Sequence, residues 1–451
     1  MAATWKAGAT GRRTNGQIFS YFGGLIFLIA LASPVGYLGD ISTSYMLKNR
    51  LHATASEVAD FRIYTAIPVY FAVVFGFIRD RWNPLGLRDR GYLLLFSPVT
   101  AAAYAWLAWR QLTFAGLMAG MVIATLSFRF VGAAYQGLIS LIGRKRMMSG
   151  RLVTVWQIVA SIPAVIAAVA SGWTARHLNP RHTFLMLAGF ALVIGLLGLW
   201  NPSAVYAHAY EAPDARGGRL VDDLKRLLRH RAIYPAIVIN FMWNFAPGSA
   251  TPLQYYLSNE LHASDAVYAN FNAIFAASFI PTFFAYGFLC KRVALRNLLF
   301  WGTVVAIPQM IPLAFVHSPQ SAMELAAPIG LMGGVATAAY YDLAIRSCPP
   351  GLQGTLMMAV DGVLVVSARV GDRLGSAIYD AHPGRGFLYC VVATTVTYSL
   401  IIPVIFLVPR RVVAAADGHV WPSVEGKALA DVAEPTSDPV SRRPDESNLA
   451  P

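Results

Sequence analysis

Arg129 stands about midway along an apolar run, with Gly132, Tyr135 and Gln136 following it. A charge inside such a run costs at least ~2.5 kcal/mol on insertion scales, so it needs a partner or a wet hollow. A guanidinium held there offers a planar fork of donors that grips a carboxylate with two prongs. The competing reading ties Arg129 to backbone carbonyls or to an acid within the N-terminal half. Asp361, in another apolar run, is the second residue of this kind. A low-dielectric site favours the protonated form of an acid, as a proton carrier needs; a structural hydrogen bond is the other reading. Asn240, Trp243 and Asn244 share one helix face by their spacing. Two amides and an indole either grip a flat heterocycle or bond and pack between helices. Tyr340 and Tyr341 are further candidates to line a site.

None of these is a catalytic constellation. The chain has no paired histidines at metal spacing, no nucleophile elbow, no glycine-rich phosphate loop and no Walker sequence. An enzyme and an ATP-driven pump are therefore disfavoured, and no cofactor or metal is expected. Cys290, Cys348 and Cys390 have neither disulfide-framework nor ligand spacing and read as isolated, packed thiols.

The elements that position these residues follow from composition. Of 451 residues 56% are hydrophobic and 13% charged, and the mean hydropathy is +0.51. A soluble domain carries about a quarter charged residues, so the chain reads as a polytopic helical membrane protein. Twelve apolar spans, each of roughly 20 residues, are predicted at about 18–38, 58–78, 92–109, 114–141, 152–173 and 184–200. The second six lie at about 233–256, 266–289, 298–316, 322–344, 356–379 and 387–408. These spans divide the chain into a tail (1–17), a first bundle (18–200), a linker (201–231), a second bundle (232–408) and a disordered tail (409–451). Within the linker, 219–228 alternates apolar and charged residues at helical spacing, as in a short helix on the membrane surface or a solvated one.

Alternate connections hold about 23 basic residues and the other set about six. By the positive-inside rule, both termini and the linker are expected to be cytoplasmic in a cell (inner or plasma) membrane. That asymmetry also accounts for the net charge of +13 without nucleic acid.

The halves repeat. Leu51-His52-Ala53 enters span 2 as Leu261-His262-Ala263 enters span 8, and Phe75-Gly76-Phe77-Ile78 leaves it as Tyr286-Gly287-Phe288-Leu289 does. Ala133-Ala134-Tyr135 pairs with Ala338-Ala339-Tyr340, and Gly150-Arg151-Leu152 with Gly354-Thr355-Leu356. Through this repeat Asp361 corresponds to Gln157. Two parallel halves describe a secondary transporter rocking about a midplane cavity. A channel is disfavoured by the repeat and by the lack of a charged ring or filter motif.

Gly76-Phe77-Ile78-Arg79-Asp80-Arg81, followed by Gly86, Arg88 and Arg90, resembles the signature loop of the major facilitator superfamily. In the second half Cys290-Lys291 replaces Arg79-Asp80, so that copy is degenerate. More narrowly, the chain resembles the folate–biopterin transporter branch. The segments 79–92 and 243–301 and the turn Cys348-Pro349-Pro350-Gly351 carry this likeness.

The resemblance implies an all-α fold of twelve helices in two six-helix bundles, with helices 1, 4, 7 and 10 around the cavity. Arg129, Gln136, Asn240, Trp243, Asn244 and Tyr340 are then candidates for solute binding. It sets helices 2 and 11 against each other, so Asp60 and Arg62 could pair with Arg369, Asp372 and Arg373 as an outer gate; interfacial charges reaching for water are the rival reading. It also assigns Asp80, with Arg81 beside it, to the positive end of helix 11 in the outward-open state. A secondary transporter for a small organic anion, folate- or pterin-like and proton-coupled through Asp361, acting as a monomer, is the resulting expectation. The alternative is an exporter or permease for a drug, sugar or muropeptide.

Overall fold

The computed structural model describes residues 2–36, 38–39, 43, 46–47, 50–53, 55–177, 179–206, 225, 227 and 229–419. Each apolar run of the sequence forms a helix or a chain of helical pieces. The first half comprises α1 (Ala2–Ala32), α2 (Ala55–Thr65, Ile67–Tyr70 and Ala72–Arg81), α3 (Asp89–Trp109), α4 (Phe114–Lys145), α5 (Ser149–His177) and α6 (Pro180–Leu197). The second comprises α7 (Ile233–Asn244 and Thr251–Tyr255), α8 (Asp265–Leu289), α9 (Leu295–Ala306, then a 3₁₀ stretch Ile307–Phe315), α10 (Pro319–Arg346), α11 (Gln353–Ala381) and α12 (Gly386–Ser399 and Ile401–Leu407). Among the described residues ten helices are long and apolar enough to cross a membrane. The other two spans, α2 and α7, are broken into shorter pieces.

The breaks follow proline chemistry. A proline has no N–H for the preceding turn and its ring presses on the carbonyl four residues earlier. Pro68 follows the interruption of α2 at Ala66, and Pro308 marks the change of α9 to 3₁₀ geometry. Pro403 sits four residues beyond the last residue of the first α12 piece. In α7 the chain leaves the helix at Phe245, turns through Pro247 and Gly248, and re-forms at Thr251 with Pro252 in the first turn. Pro34 explains why α1 stops at Ala32 rather than near residue 38, since the residue before a proline avoids the helical region.

Two expectations change at the termini. α1 runs back through the polar stretch to Ala2 instead of beginning near residue 18. Residues 409–419, expected to be disordered, form a short helix (Arg410–Val413) and a hydrogen-bonded turn beneath the bundles. The linker segment 219–228 is almost wholly outside the described residues.

The halves meet through two crossed pairs. α2 lies along α11, and α5 along α8; the repeat makes α2 the counterpart of α8 and α5 the counterpart of α11. Contact is closest at the end carrying the basic loops. A Cβ on Gly76 would collide with the Gly354 carbonyl, and a Cβ on Gly150 would lie 2.9 Å from Cys290 Cβ. Only glycine admits such backbone approach. At the opposite end α2 parts from α11: its first piece packs on α4 instead. The result is a body closed at its basic end with a hollow above the closure.

Candidate functional site

The hollow, about 340 Å³, is walled mainly by α1, α4 and α5, with Tyr341 from α10 and Asp361, Leu364 and Val365 from α11. Its volume lies in the range of about 300–1,000 Å³ usual for small-molecule sites. Arg129 reaches into it from mid-α4 and donates through Nη1 to Asp361 Oδ2 at 2.9 Å. This ion pair joins the two halves inside the hollow, with side chains 12% and 27% exposed.

The guanidinium is under-used. Arg129 Nε is buried with no acceptor, and Gln136 Oε1, further along the same wall, is buried with no donor. Leaving a buried polar group unmet costs about 1–3 kcal/mol, so such groups normally have a partner. A donor and an acceptor held open in one hollow suit a polar solute. Beside them stand three aromatic rings. Trp156 lies edge-on to Tyr135 at 5.7 Å and tilted against Tyr341 at 5.4 Å. Gln157, the repeat counterpart of Asp361, lines the same space.

Other candidates sit elsewhere. Asn240 is buried and donates to Ala236 O, and Asn244 donates to Asn240 O, so both amides serve the backbone of α7. Trp243 stacks on Tyr398 at 4.7 Å and stands edge-on to Tyr340 at 5.4 Å. Tyr340 is fully buried with its hydroxyl 2.6 Å from Thr303 Oγ1. None of the four lines the hollow. The cause is helical geometry: Tyr340 faces α9, and its neighbour Tyr341, about 100° around the helix, faces the hollow. Sequence reasoning overlooked Ser33 and Trp156 as lining residues and ranked Tyr341 below its neighbour. Trp156 had a signal, its place beside Gln157.

At the basic end Asp80 holds the start of α11. Oδ1 accepts from Gly354 N at 3.0 Å, and Oδ2 from Thr355 N at 2.7 Å and Thr355 Oγ1 at 2.6 Å. Arg79 donates to Asp80 at 2.8 Å and, with two nitrogens, to Asp89 at 2.5 Å. Arg81 lies over the Phe77 ring at 4.8 Å. A carboxylate at a helix N-terminus meets free N–H groups and the positive end of the dipole. Asp80→Asn keeps the shape and loses the charge. A lost cap of about 1–2 kcal/mol corresponds to roughly tenfold faster alkylation of Cys348, which adjoins this contact, with Cys390 unchanged. Peptide mass spectrometry after N-ethylmaleimide treatment reads both; an unchanged Cys348 rate would contradict the capping role.

The α5–α8 side is closed by a second cluster. Asp342 accepts from Ser149 Oγ at 2.5 Å, Tyr286 OH at 2.8 Å, and Arg346 at 2.9 and 3.1 Å. Asp342 and Arg346, four residues apart on α10, thus form an ion pair fully buried between α5, α8 and α10. Asp417 joins it from beyond the last span. Burial pushes the Asp417 carboxyl up from its ordinary value and nearby Asp342 adds to this, with Arg151 and Arg346 opposing. Burial likewise pushes the Cys290 thiol up to about 12, so the thiol here is shielded and protonated.

At the other end Asp60, Arg62, Arg369 and Arg373 are exposed. Asp372 turns into its own half, accepting from Thr251 N at 2.9 Å and Thr251 Oγ1 at 3.0 Å, and so fixes the re-formed piece of α7.

Comparison with known proteins agrees with this architecture. The model of the Major Facilitator Superfamily matches residues 16–371. A folate-biopterin transporter of Synechocystis sp. is 21% identical over 370 residues, covering 78% of this chain and 74% of that protein. Folate transporter 2 of Plasmodium falciparum is 18% identical over 348 residues, covering 74% and 75%. The solved structure of FucP, a Major Facilitator Superfamily transporter in the outward conformation, has a TM-score of 0.67 at 14% identity, covering 87% of this chain and 98% of FucP. Two six-helix bundles closed at one end around a polar hollow, with a family match over most of the length, make this chain a member of the Major Facilitator Superfamily resembling its folate–biopterin branch: a multi-pass membrane transporter of small solutes and not an enzyme.

Proposed function

We propose that the protein carries a small organic anion, of the folate or pterin class, by alternating access in symport with protons. The observation that carries this reading is the Arg129–Asp361 pair, bridging the two halves at 2.9 Å within the hollow. A solute carboxylate competes with Asp361 for the guanidinium, whose fork suits it. Asp361, displaced, takes a proton. The tie between α4 and α11 is then undone, and the halves are free to rock about the occupied site. A neutral Asp361 also leaves the loaded hollow without an unpaired charge, which would be costly away from water. The Tyr135–Trp156–Tyr341 wall offers ring faces to a flat heterocycle. The Synechocystis and Plasmodium relatives, named for folate and biopterin transport, support the solute class.

The basic loops support a cytoplasmic position for the closed end and both termini under the positive-inside rule. The hollow in this state then belongs to the outward-facing form, and the protein works as a monomer.

The test is uptake into proteoliposomes of labelled folate, pterins, simple carboxylates and a neutral sugar, with and without an inward proton gradient. We expect a carboxylate-bearing pteridine to accumulate and a gradient to stimulate it. Uptake of the sugar alone, or anion uptake indifferent to the gradient, would contradict the anionic or the coupled part of the reading respectively.

A further inference from the structure

The two copies of the signature loop are unequal, and the structure fills the gap from an unexpected place. In the first copy Asp80, in the last turn of α2, binds the first amides of α11. Through the repeat the equivalent amides are Gly150 N and Arg151 N at the start of α5, and the loop that should supply the carboxylate follows α8. That loop carries Cys290 and Lys291 where the first has Arg79 and Asp80. Nothing in the second copy can play the acid.

Asp417 does so instead. Its Oδ1 accepts from Gly150 N and its Oδ2 from Arg151 N, each at 3.3 Å, and Arg151 Nε donates to Oδ2 at 2.8 Å. Asp80 has the same pattern: one oxygen for each of two successive amides, plus an arginine. The match extends to the anchor. The Asp417 N–H donates to Cys290 O at 2.8 Å, the carbonyl of the residue that replaces Arg79.

The segment carrying Asp417 is hooked to both halves. Gly418 N donates to Met147 O at 2.7 Å in the first half. Arg346 Nη1 donates to Ala415 O at 2.7 Å in the second. Gly418 turns the chain with φ +93°, a conformation that favours glycine. The Asp417 carboxylate is wholly enclosed and lies 4.0 Å from Arg346 Nη2. Without it, Arg151, Arg346 and the positive end of α5 would face one another with Asp342 as the remaining acid of the cluster.

We infer that the 415–418 hook, through Asp417, replaces the carboxylate missing from the second signature loop and holds the α5–α8 side of the basic end closed. Asp417 is a positioning residue: it touches no solute and acts on the start of α5. The two sides of the closure therefore differ. One is locked by a residue within the bundle, the other by a segment beyond the last span that must withdraw before α5 and α8 separate. The inference uses the rocking of the halves from the reading above. Its test needs no solute, so a wrong solute class leaves its outcome readable.

Cys290 reports on the α5–α8 contact, being 1% exposed and against Gly150. Cys390, buried against Gly375 O in the second half, reports on the fold. Purified protein in nanodiscs is treated with N-ethylmaleimide, and each cysteine is followed by mass spectrometry. The full chain is compared with Asp417→Ala, Asp417→Asn and chains ending after Ala414 or after His419. Loss of a cap of about 1–2 kcal/mol predicts roughly tenfold faster labelling of Cys290 in Asp417→Ala and the chain ending at Ala414. Asp417→Asn, which keeps the side chain's size, falls between these and the full chain. The chain ending at His419 labels like the full chain, and Cys390 stays unlabelled throughout. Unchanged Cys290 labelling in Asp417→Ala would overturn the inference. So would parallel rises at Cys290 and Cys390, which mark loss of the fold, or a chain ending at His419 as reactive as the one ending at Ala414.

Discussion

Arg129→Ala is expected to lower kcat/KM for anion uptake roughly 100-fold, the equivalent of about 3 kcal/mol for truncating one partner of an enclosed charge pair. On the proposed reading, the substitution removes the fork that grips the solute's carboxylate. It also leaves Asp361 in the hollow without the cation that now lies 2.9 Å away. Arg129→Lys should cost about tenfold, because an ammonium keeps the charge but is a point donor without planar geometry. Initial rates in proteoliposomes, normalised to inserted protein, separate the three proteins. Normal transport by both variants would remove Arg129 from solute binding.

Asp361→Asn is expected to act in the opposite direction on affinity. On the proposed reading, the solute's carboxylate competes with the Asp361 carboxylate that already lies 2.9 Å from Arg129. Asparagine is a weaker competitor, so the KM for the anion should fall by about tenfold. The pH dependence changes with it. The asparagine variant has no carboxyl at position 361 to carry a proton, so its uptake is expected to be insensitive to pH. Accumulation against a gradient is lost for the same reason, while exchange of internal for external solute continues. The groups facing Asp361 across the hollow are Arg129 from α4, Gln157 from α5 and Tyr341 from α10. Uptake by Asp361→Asn that still responded fully to a proton gradient would exclude this residue from coupling.

Much of the architecture was legible from residue types, because apolar runs bounded by arginines leave few ways to cross a bilayer. The polar start of α1 and the pieces of α2 were not legible, since neither changes the hydropathy that marks a span. Arg129 and Asp361 each stood out as charges in apolar surroundings. Their partnership did not, because 232 residues separate them and only the packing of α4 on α11 joins them. Tandem residues posed the opposite difficulty: Tyr340 and Tyr341 have one chemistry and two directions, and the choice between them is set by how α10 rotates against α9. Asp342 and Arg346 have the spacing of an ordinary helix ion pair, but Ser149 and Tyr286 from other helices bury them. Asp417 was hidden by composition, in a stretch rich in polar residues where disorder is the usual expectation. The degenerate Cys290-Lys291 copy was visible in the sequence, and it marked the place where an acid was owed.

The central claim is that Arg129 holds the carboxylate of the solute in the hollow between the halves. The most direct measurement is a binding cycle with the best-transported anion and its neutral amide analogue, on the native protein and on Arg129→Ala. The account predicts that the native protein prefers the anion by about 100-fold and that Arg129→Ala binds both alike, a coupling of about 3 kcal/mol. An unchanged preference for the anion in Arg129→Ala would contradict it.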